Sequence, residues 1–445
     1  MLEGRNRYGC IVFKGGEWKL KDIVIENLDK NTNLYVIPDK KFKTIYISYC
    51  FHRDLDENYT YNALVPAVLK RGCEGYENQK EIGKHLEEQY GALFDVGVQK
   101  RGERQILRFT MDVINEDYVG KDGLLAQAFY FLNRIITKPV LEDSMFREDY
   151  VDQEKENLKN RILAMINDKM QYSMERCIQE MCQGEKYARY ALGSVDELSS
   201  LDPEKLYEVY RDIITGSPLD IFVVGDVDPG KVSALIKNSL DLERSHIKLI
   251  PETIIKKIGI KQREVVERMD VSQAKLNIGF RTNVPVNQDE YFPLVLYAGI
   301  LGGGPHSKLF INVREKSSLA YYAFARLEKY KGLMLIGSGI DQKDYEQALE
   351  IIMEQIADIE KGRISDMEFT ASVNAITTSL RAAKDEQGQL VDYYLGNAIT
   401  GARHTLEDFI REIQKVKPEA VVEVSKKVKA DTVYLLRPNE GDVEN

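Results

Sequence analysis

Residues 301–324 read LGGGPHSKLFINVREKSSLAYYAF, and the reading of this stretch decides how the rest of the chain is understood. It joins a run of three glycines, Gly302 to Gly304, to an amphipathic segment, KLFINVRE, and then to an aromatic, strand-forming segment that begins LAYY. Glycines permit positive φ and a tight connection between elements, which needs no ligand. Arg314 offers a charged planar donor fork and Tyr321 an orientable hydroxyl. Each also has an ordinary structural role open to it: Arg314 can pair with Glu315, and Tyr321 can fill a core.

Working outward, the chain reads as one plan used twice. TIYISYCF (44–51) is a β-branched and aromatic run typical of a strand, followed by YTYNALVPAVLKRG with helical spacing. AKLNIGFRT (274–282) and YFPLVLYAGILGGG repeat that pair in the second half. Each pair continues into an amphipathic helix and a hairpin-like pair of strands. EIGKHLEEQYGALF leads to RQILRFTMDVI, while KLFINVRE leads to LAYYAFARL and GLMLIGSGI. Internal duplication is the economical explanation. The first half closes with DIFVVGDVDPGKVSALIKNSL, a buried-type strand that turns through Gly225, Asp226 and Pro229 into a helix. The predicted organisation is an α+β fold with an N-terminal domain over 1–243, a linker over 244–262 and a C-terminal domain over 263–445.

Composition narrows the function. At 445 residues the chain has room for roughly two to four domains. Its 43% hydrophobic and 30% charged residues are those of a folded globular protein, with folding expected everywhere except the polar end RPNEGDVEN. A net charge of -10 and a pI near 5.3 oppose binding to a phosphate backbone, so nucleic acid is excluded as an expected partner. No window approaches a membrane span and the first residues carry no continuous apolar signal region, so the expected address is the cytoplasm, with no membrane partner. Cys10, Cys50, Cys73, Cys177 and Cys182 are odd in number and lack C-x-x-C spacing, which predicts ordinary packed thiols.

The opening motif resembles the second-half signature of the pitrilysin/insulinase (M16) zinc peptidases, related to the mitochondrial processing peptidases. In that signature a Gly-rich turn precedes S-R/K-L-F, an R-E-K and an L-A-Y. Here the match runs from Gly302 through Ser307, Lys308, Leu309 and Phe310 to Arg314, Glu315, Lys316, Leu319, Ala320 and Tyr321. The resemblance extends from about Ile23 to about Leu436 and includes a G-D-V-D/N turn at Gly225. It implies two M16-type domains, each a mainly antiparallel sheet packed with helices, facing one another. It also implies that Arg314 and Tyr321, with Tyr322 as the register alternative, donate hydrogen bonds to substrate and to the developing oxyanion. Gly302, Gly303 and Gly304 would form a substrate-handling loop. Phe94, Val96 and Val98 fall on the segment resembling the edge strand that docks extended peptides, where main-chain pairing tolerates many sequences.

Zinc peptidases of this type carry H-x-x-E-H, two imidazoles on one helix face with a Glu that deprotonates the metal-bound water. Aligning the family's K-G-T on Arg71, Gly72 and Cys73 puts the His positions on Ala63 and Ala67 and the Glu on Pro66. No His lies between His52 and His85, so slippage of the register restores no ligand. The third ligand would fall near Glu154, isolated on a highly charged helix. His85 begins an H-x-x-E-Q and His404 begins an H-x-x-E that ends at Glu407, each short of the closing His. His85 reads as a surface or packing residue, and His52, His246 and His306 are dispersed. Gly299 to Pro305 lacks the Lys and Ser/Thr of a P-loop, and no G-x-S-x-G elbow is present.

The expectation is therefore an inactive subunit with no cofactor of its own. It would bind peptide and complete a zinc-bearing H-x-x-E-H sister in a heterodimer, with a homodimer as the other assembly. A scaffold protein of the same fold is the alternative. A peptidase with an unorthodox metal site is the remaining one.

Overall fold

The computed structural model describes residues 11–12, 17–20, 23–29, 31–257 and 259–439. Cys10 and the last residues of RPNEGDVEN lie outside the described residues.

The larger sheet runs, in spatial order, β1 (Ile11–Val12), β2 (Glu17–Leu20), β3 (Ile23–Asp29), β4 (Thr32–Pro38), β10 (Leu219–Gly225), β5 (Thr44–Asp54), β7 (Arg104–Ile114) and β6 (Leu93–Arg101). The smaller runs β11 (Arg263–Arg268), β15 (Lys429–Arg437), β12 (Ala274–Arg281), β14 (Leu333–Ile340) and β13 (Ala320–Glu328). A short hairpin pairs β8 (Leu141–Glu142) with β9 (Met145–Phe146). The duplication read from the sequence is present strand for strand. β4 runs parallel to β10, and β10, β5, β7 and β6 then alternate antiparallel. β11 runs parallel to β15, and β15, β12, β14 and β13 alternate in the same way. The fold is the expected α+β arrangement of two sheets, each mainly antiparallel.

The sequence explains which strands lie inside. In β10, LDIFVVG is apolar almost throughout and every residue is buried, as a central strand covered on both faces requires. In β11, REVVER alternates half-buried and exposed positions, with charges on both faces, as suits an edge. The helix that follows β5, Tyr59–Leu69, is apolar nearly all round and largely buried.

Two compact units follow, each with its own core. One comprises residues 1–163, 190–251 and 387–395, and the other residues 164–189, 252–386 and 396–445. The linear division at 244–262 thus describes chain order, and the compact units depart from it at two segments, 164–189 and 387–395. The cause is the second face of each sheet, which must be covered. In the second unit, Cys177, Ile178 and Met181 of the Lys169–Met181 helix pack on Leu333, Leu335, Tyr434 and Leu436. Gly279 of β12 leaves room for that helix, since a Cβ there would stand 2.6 Å from the Met181 sulfur. In the first unit, Asp392 accepts from Arg108 at 2.8 Å, and Gln387 donates to the carbonyls of Thr44 at 2.8 Å and Val224 at 2.9 Å. Residues 241–257 and 259–262 form no regular element.

Candidate functional site

Each half of the expected site is carried by a different unit. In the first, Ala63, Pro66 and Ala67 all fall on the Tyr59–Leu69 helix, with Ala63 and Pro66 buried and Ala67 half-buried. Pro66 lacks an N–H, so the Asn62 carbonyl has no i+4 donor, and both polar atoms of the buried Asn62 side chain are also without a partner. Two methyl groups and a pyrrolidine supply no metal donor and no general base. Glu154, on the Glu148–Ala164 helix, is engaged at 3.3 Å by Arg71, which stands two residues past the end of the Tyr59–Leu69 helix. The other arm of the Arg71 fork donates to Gln153, and its guanidinium lies 5.1 Å from the centre of the Tyr150 ring. Among the described residues no group of three or more His, Cys, Asp or Glu has the arrangement of a metal site. The donor set does not fit zinc.

His246 is exposed, and the other four imidazoles have packing or hydrogen-bond partners. His85 lies 4.5 Å from the Tyr76 ring and 5.1 Å from Phe131, bonds Gln89 at 2.7 Å, and has its pKa lowered by burial. His52 pairs with Asp220 at 3.0 Å inside the sheet, His306 with Ser372 at 3.0 Å, and His404 packs edge-on against Phe292. Cys50, Cys73, Cys177 and Cys182 are buried free thiols, and burial pushes Cys50 and Cys73 up to about 11, far from a reactive thiolate.

Phe94, Val96 and Val98 lie on β6, which ends the larger sheet among the described residues. Their side chains pack toward the core, with Phe94 edge-on to Phe131 at 5.2 Å. What they present outward is main chain. β6 and β7 are joined by the two-residue connection Gly102–Glu103, with Gly102 at φ 63, so Arg101 and Arg104 form the closing hydrogen-bonded pair. The antiparallel ladder then alternates, which turns the N–H and C=O groups of Phe94, Val96, Val98 and Lys100 away from β7.

In the second unit the opening motif divides into residues that build and residues that protrude. The three glycines close the Tyr291–Gly302 helix against β13. A Cβ on Gly302 would stand 2.6 Å from the carbonyl carbon of Phe324 and closer still to the main-chain nitrogen of Ala325. Gly303 meets the preceding turn at Gly299, and Gly304, at φ 153, sits beside the His306 ring. Gly302 is thus a buried packing contact, and Gly303 is exposed. Lys308 is buried and paired with Glu368 at 3.0 Å, which holds that carboxyl below its usual range together with the Ser365 bonds. Leu309 is fully buried.

Arg314 and Tyr321 do neither of the structural jobs open to them in full. Arg314 is exposed and lies over the Phe310 ring at 4.6 Å, with only a long 3.6 Å contact to Glu315. Tyr321 is 71% exposed. It is the extra residue of a β-bulge, since Ala320 pairs with Ile340 and Tyr322 with Gly339. Tyr322 instead lies flat on the sheet over Gly339, stacked on Phe324 at 5.9 Å, and burial raises its hydroxyl to about 12. Of the two register choices, Tyr321 is the one whose hydroxyl is in solvent. The backbone that carries the pair is irregular throughout: Phe310–Lys316 is a π-helix where an amphipathic helix was expected, and Ser318 sits at φ 53. Such features cluster at functional positions because they re-aim side chains at a cost in stability. Sequence reasoning passed over Arg71, treating it only as an alignment anchor. Arg71 stands two residues past the helix that ends at Leu69, and no local spacing signals its pairing with Glu154.

Two duplicated α+β sheets, a displayed Arg and Tyr in one, and a donorless zinc helix in the other define a peptidase-like protein without its metal. A family model described as the peptidase M16 inactive domain matches residues 200–376. The chain is 35% identical over 409 residues to the probable inactive metalloprotease YmfF of Bacillus subtilis, covering 92% of this chain and 96% of that one. It belongs to the M16 peptidase family. Among solved structures, a conserved protein from Enterococcus faecalis matches with a TM-score of 0.87 and 29% identity, over 96% of this chain and all of that one. The peptidase M16 inactive domain from Pseudomonas fluorescens shares the fold, with a TM-score of 0.75 and 15% identity, over 94% of this chain and 98% of that one. No described helix is long and apolar enough to cross a membrane.

Proposed function

We propose that this chain is a non-catalytic M16 subunit that binds extended peptide and lends Arg314 and Tyr321 to the active site of a zinc-bearing sister, in a cytoplasmic heterodimer. The observation that carries the reading is the contrast within the chain: the metal donors are gone, while Arg314 and Tyr321 stay exposed on strained, irregular backbone. A chain under no demand to display them would relax a seven-residue π-turn and a bulge into regular structure. The β6 edge, where the larger sheet ends among the described residues, supports peptide docking, because main-chain groups turned outward recognise an extended segment without reading its side chains. Gly303 and Gly304 would act as the loop that follows the substrate, with Gly302 as their anchor.

The experiment is co-purification with an M16 protein that carries H-x-x-E-H, followed by cleavage of an unfolded peptide. The pair is expected to cleave and the single chains not to. Arg314→Ala or Tyr321→Phe should cut the pair's rate by about a hundredfold, as removal of one oxyanion donor does. Failure to form a complex, or an unchanged rate in both variants, sinks the proposal. A complex whose cleavage ignores both substitutions would instead favour the scaffold reading.

A further inference from the structure

We propose that the smaller sheet holds a site for a peptide carboxylate, formed by Lys275 with Asn277 of β12 beside the rings of Tyr322 and Phe324. Strand pairing sets these residues in two matching rows. Lys275 pairs with Gly339 of β14 and Gly339 with Tyr322 of β13, while Asn277 pairs with Gly337 and Gly337 with Phe324. Each row therefore runs donor, glycine, ring, on the face opposite Leu276 and Ile278, which belong to the core. The glycines let the rings lie down on the sheet: a Cβ on Gly337 would stand 2.6 Å from the Phe324 ring, and one on Gly339 would stand 2.5 Å from the Tyr322 ring. An apolar shelf results, with a polar side chain at the other end of each row.

Both polar groups have donors in reserve. Lys275 is half-buried, donates to Gln273 at 2.6 Å and lies 5.7 Å from the centre of the Tyr322 ring; among the described residues no carboxylate lies within ion-pair distance of it. Burial lowers its pKa, and no neighbouring charge offsets that. Asn277 is 2% exposed, and its side-chain nitrogen has no acceptor. A withdrawn ammonium without a counter-charge and a buried amide without an acceptor both destabilise the free chain, and a ligand that carries acceptors relieves them. Residues on one face of a strand stand about 7 Å apart, which is also the distance in an extended peptide from the terminal carboxylate to the carbonyl two residues back. The inference rests on the peptide-binding reading and narrows it to peptides whose carboxylate falls near Tyr321, the bulge residue next to Tyr322. A net charge of -10 opposes such a ligand at long range, so the preference has to be local.

The test is fluorescence anisotropy with the full-length chain and labelled peptides of one short unstructured sequence free of Asp and Glu. One ends in a free carboxylate, one in an amide, and one in an amide with Glu as its last residue. The free acid, the Glu peptide or both should bind about tenfold more tightly than the plain amide, as a hydrogen bond between charged groups supplies. Lys275→Met should abolish that preference and leave binding of the plain amide unchanged, with Lys275→Gln in its place where circular dichroism shows that Lys275→Met does not fold. A preference for the free acid alone assigns the site to chain ends, for the Glu peptide alone to acidic side chains, and for both to either source. Equal binding of all the peptides overturns the inference and leaves the peptide-binding reading standing, whereas no binding by any of them overturns both. A preference that survives in the folded Lys275 variant overturns the inference as well.

Discussion

Glu185 offers the sharpest test of how the second unit is held together. Its carboxylate receives Arg281 at 2.7 and 3.0 Å, Lys331 at 2.9 Å and Lys257 at 2.6 Å. Arg281 and Lys331 are both 1% exposed, and Asp431 supplies Arg281 with a second carboxylate at 3.0 Å. The three cations hold the Glu185 carboxyl down at about 2, against 4.5 for a free glutamic acid. Because the folded pKa is the depressed one, the stability it brings is fully present above about pH 4.5 and is lost as pH falls toward 2. That difference corresponds to about 3 kcal/mol, the scale also found when one partner of a buried pair is deleted. Glu185→Gln keeps the shape and removes the charge. For a body of about 150–250 residues, a loss of about 3 kcal/mol should lower Tm by roughly 6–12 °C at pH 7. The assay is thermal unfolding of both proteins at pH 7, 5, 4 and 3 by circular dichroism. The gap should narrow steadily below pH 5, since protonated Glu185 and Gln carry the same charge. A gap under 2 °C at pH 7, or one that stays constant down to pH 3, refutes the reasoning.

Three further outcomes are expected. Arg314→Ala and Tyr321→Phe, both exposed, should change unfolding free energy by no more than about 0.5 kcal/mol in urea titrations, which separates any effect on a partner's cleavage from a folding defect. Gly302→Ala should cost about 1–3 kcal/mol in the same titration, because the new methyl meets the β13 main chain, which cannot swing aside as a side chain can. Asn62→Leu should raise Tm, by an amount equivalent to about 1–2 kcal/mol, since it removes a buried amide with no partner while keeping its approximate size. A fall in Tm would show that the amide is satisfied.

Much of the fold was legible because strands and apolar helices leave local traces. TIYISYCF and AKLNIGFRT announce β5 and β12 through β-branched and aromatic runs, and the same helix type follows each, which made the repeat visible. Asp226 and Pro229 likewise marked the end of β10, and the helix there starts at Pro229. What the sequence hid is decided at long range. The exchange of residues 164–189 and 387–395 between units depends on which sheet face remains uncovered. The π-turn depends on fitting the motif between the Tyr291–Gly302 helix and β13. Gly302 looked like part of a mobile loop, yet its lack of a side chain is explained by the strand beneath it. The pairing of Arg71 with Glu154 joins residues 83 positions apart, and neither is distinctive alone. At the candidate site, the residue types and the absence of His were readable, whereas the choice of Tyr321 over Tyr322 needed the bulge.

The equivalence of β6 and β13 has a consequence for how the chain behaves alone. Both end their sheets at matching positions, but only β13 is broken by an extra residue near its start. β6 runs nine residues in unbroken register without a proline, and its protection against sticking to another copy rests on charges such as Asp95, Lys100 and Arg101. Those charges are screened by salt. High salt therefore weakens the guard on that edge, and the chain purified by itself becomes most prone to self-association under the conditions often chosen to keep proteins apart.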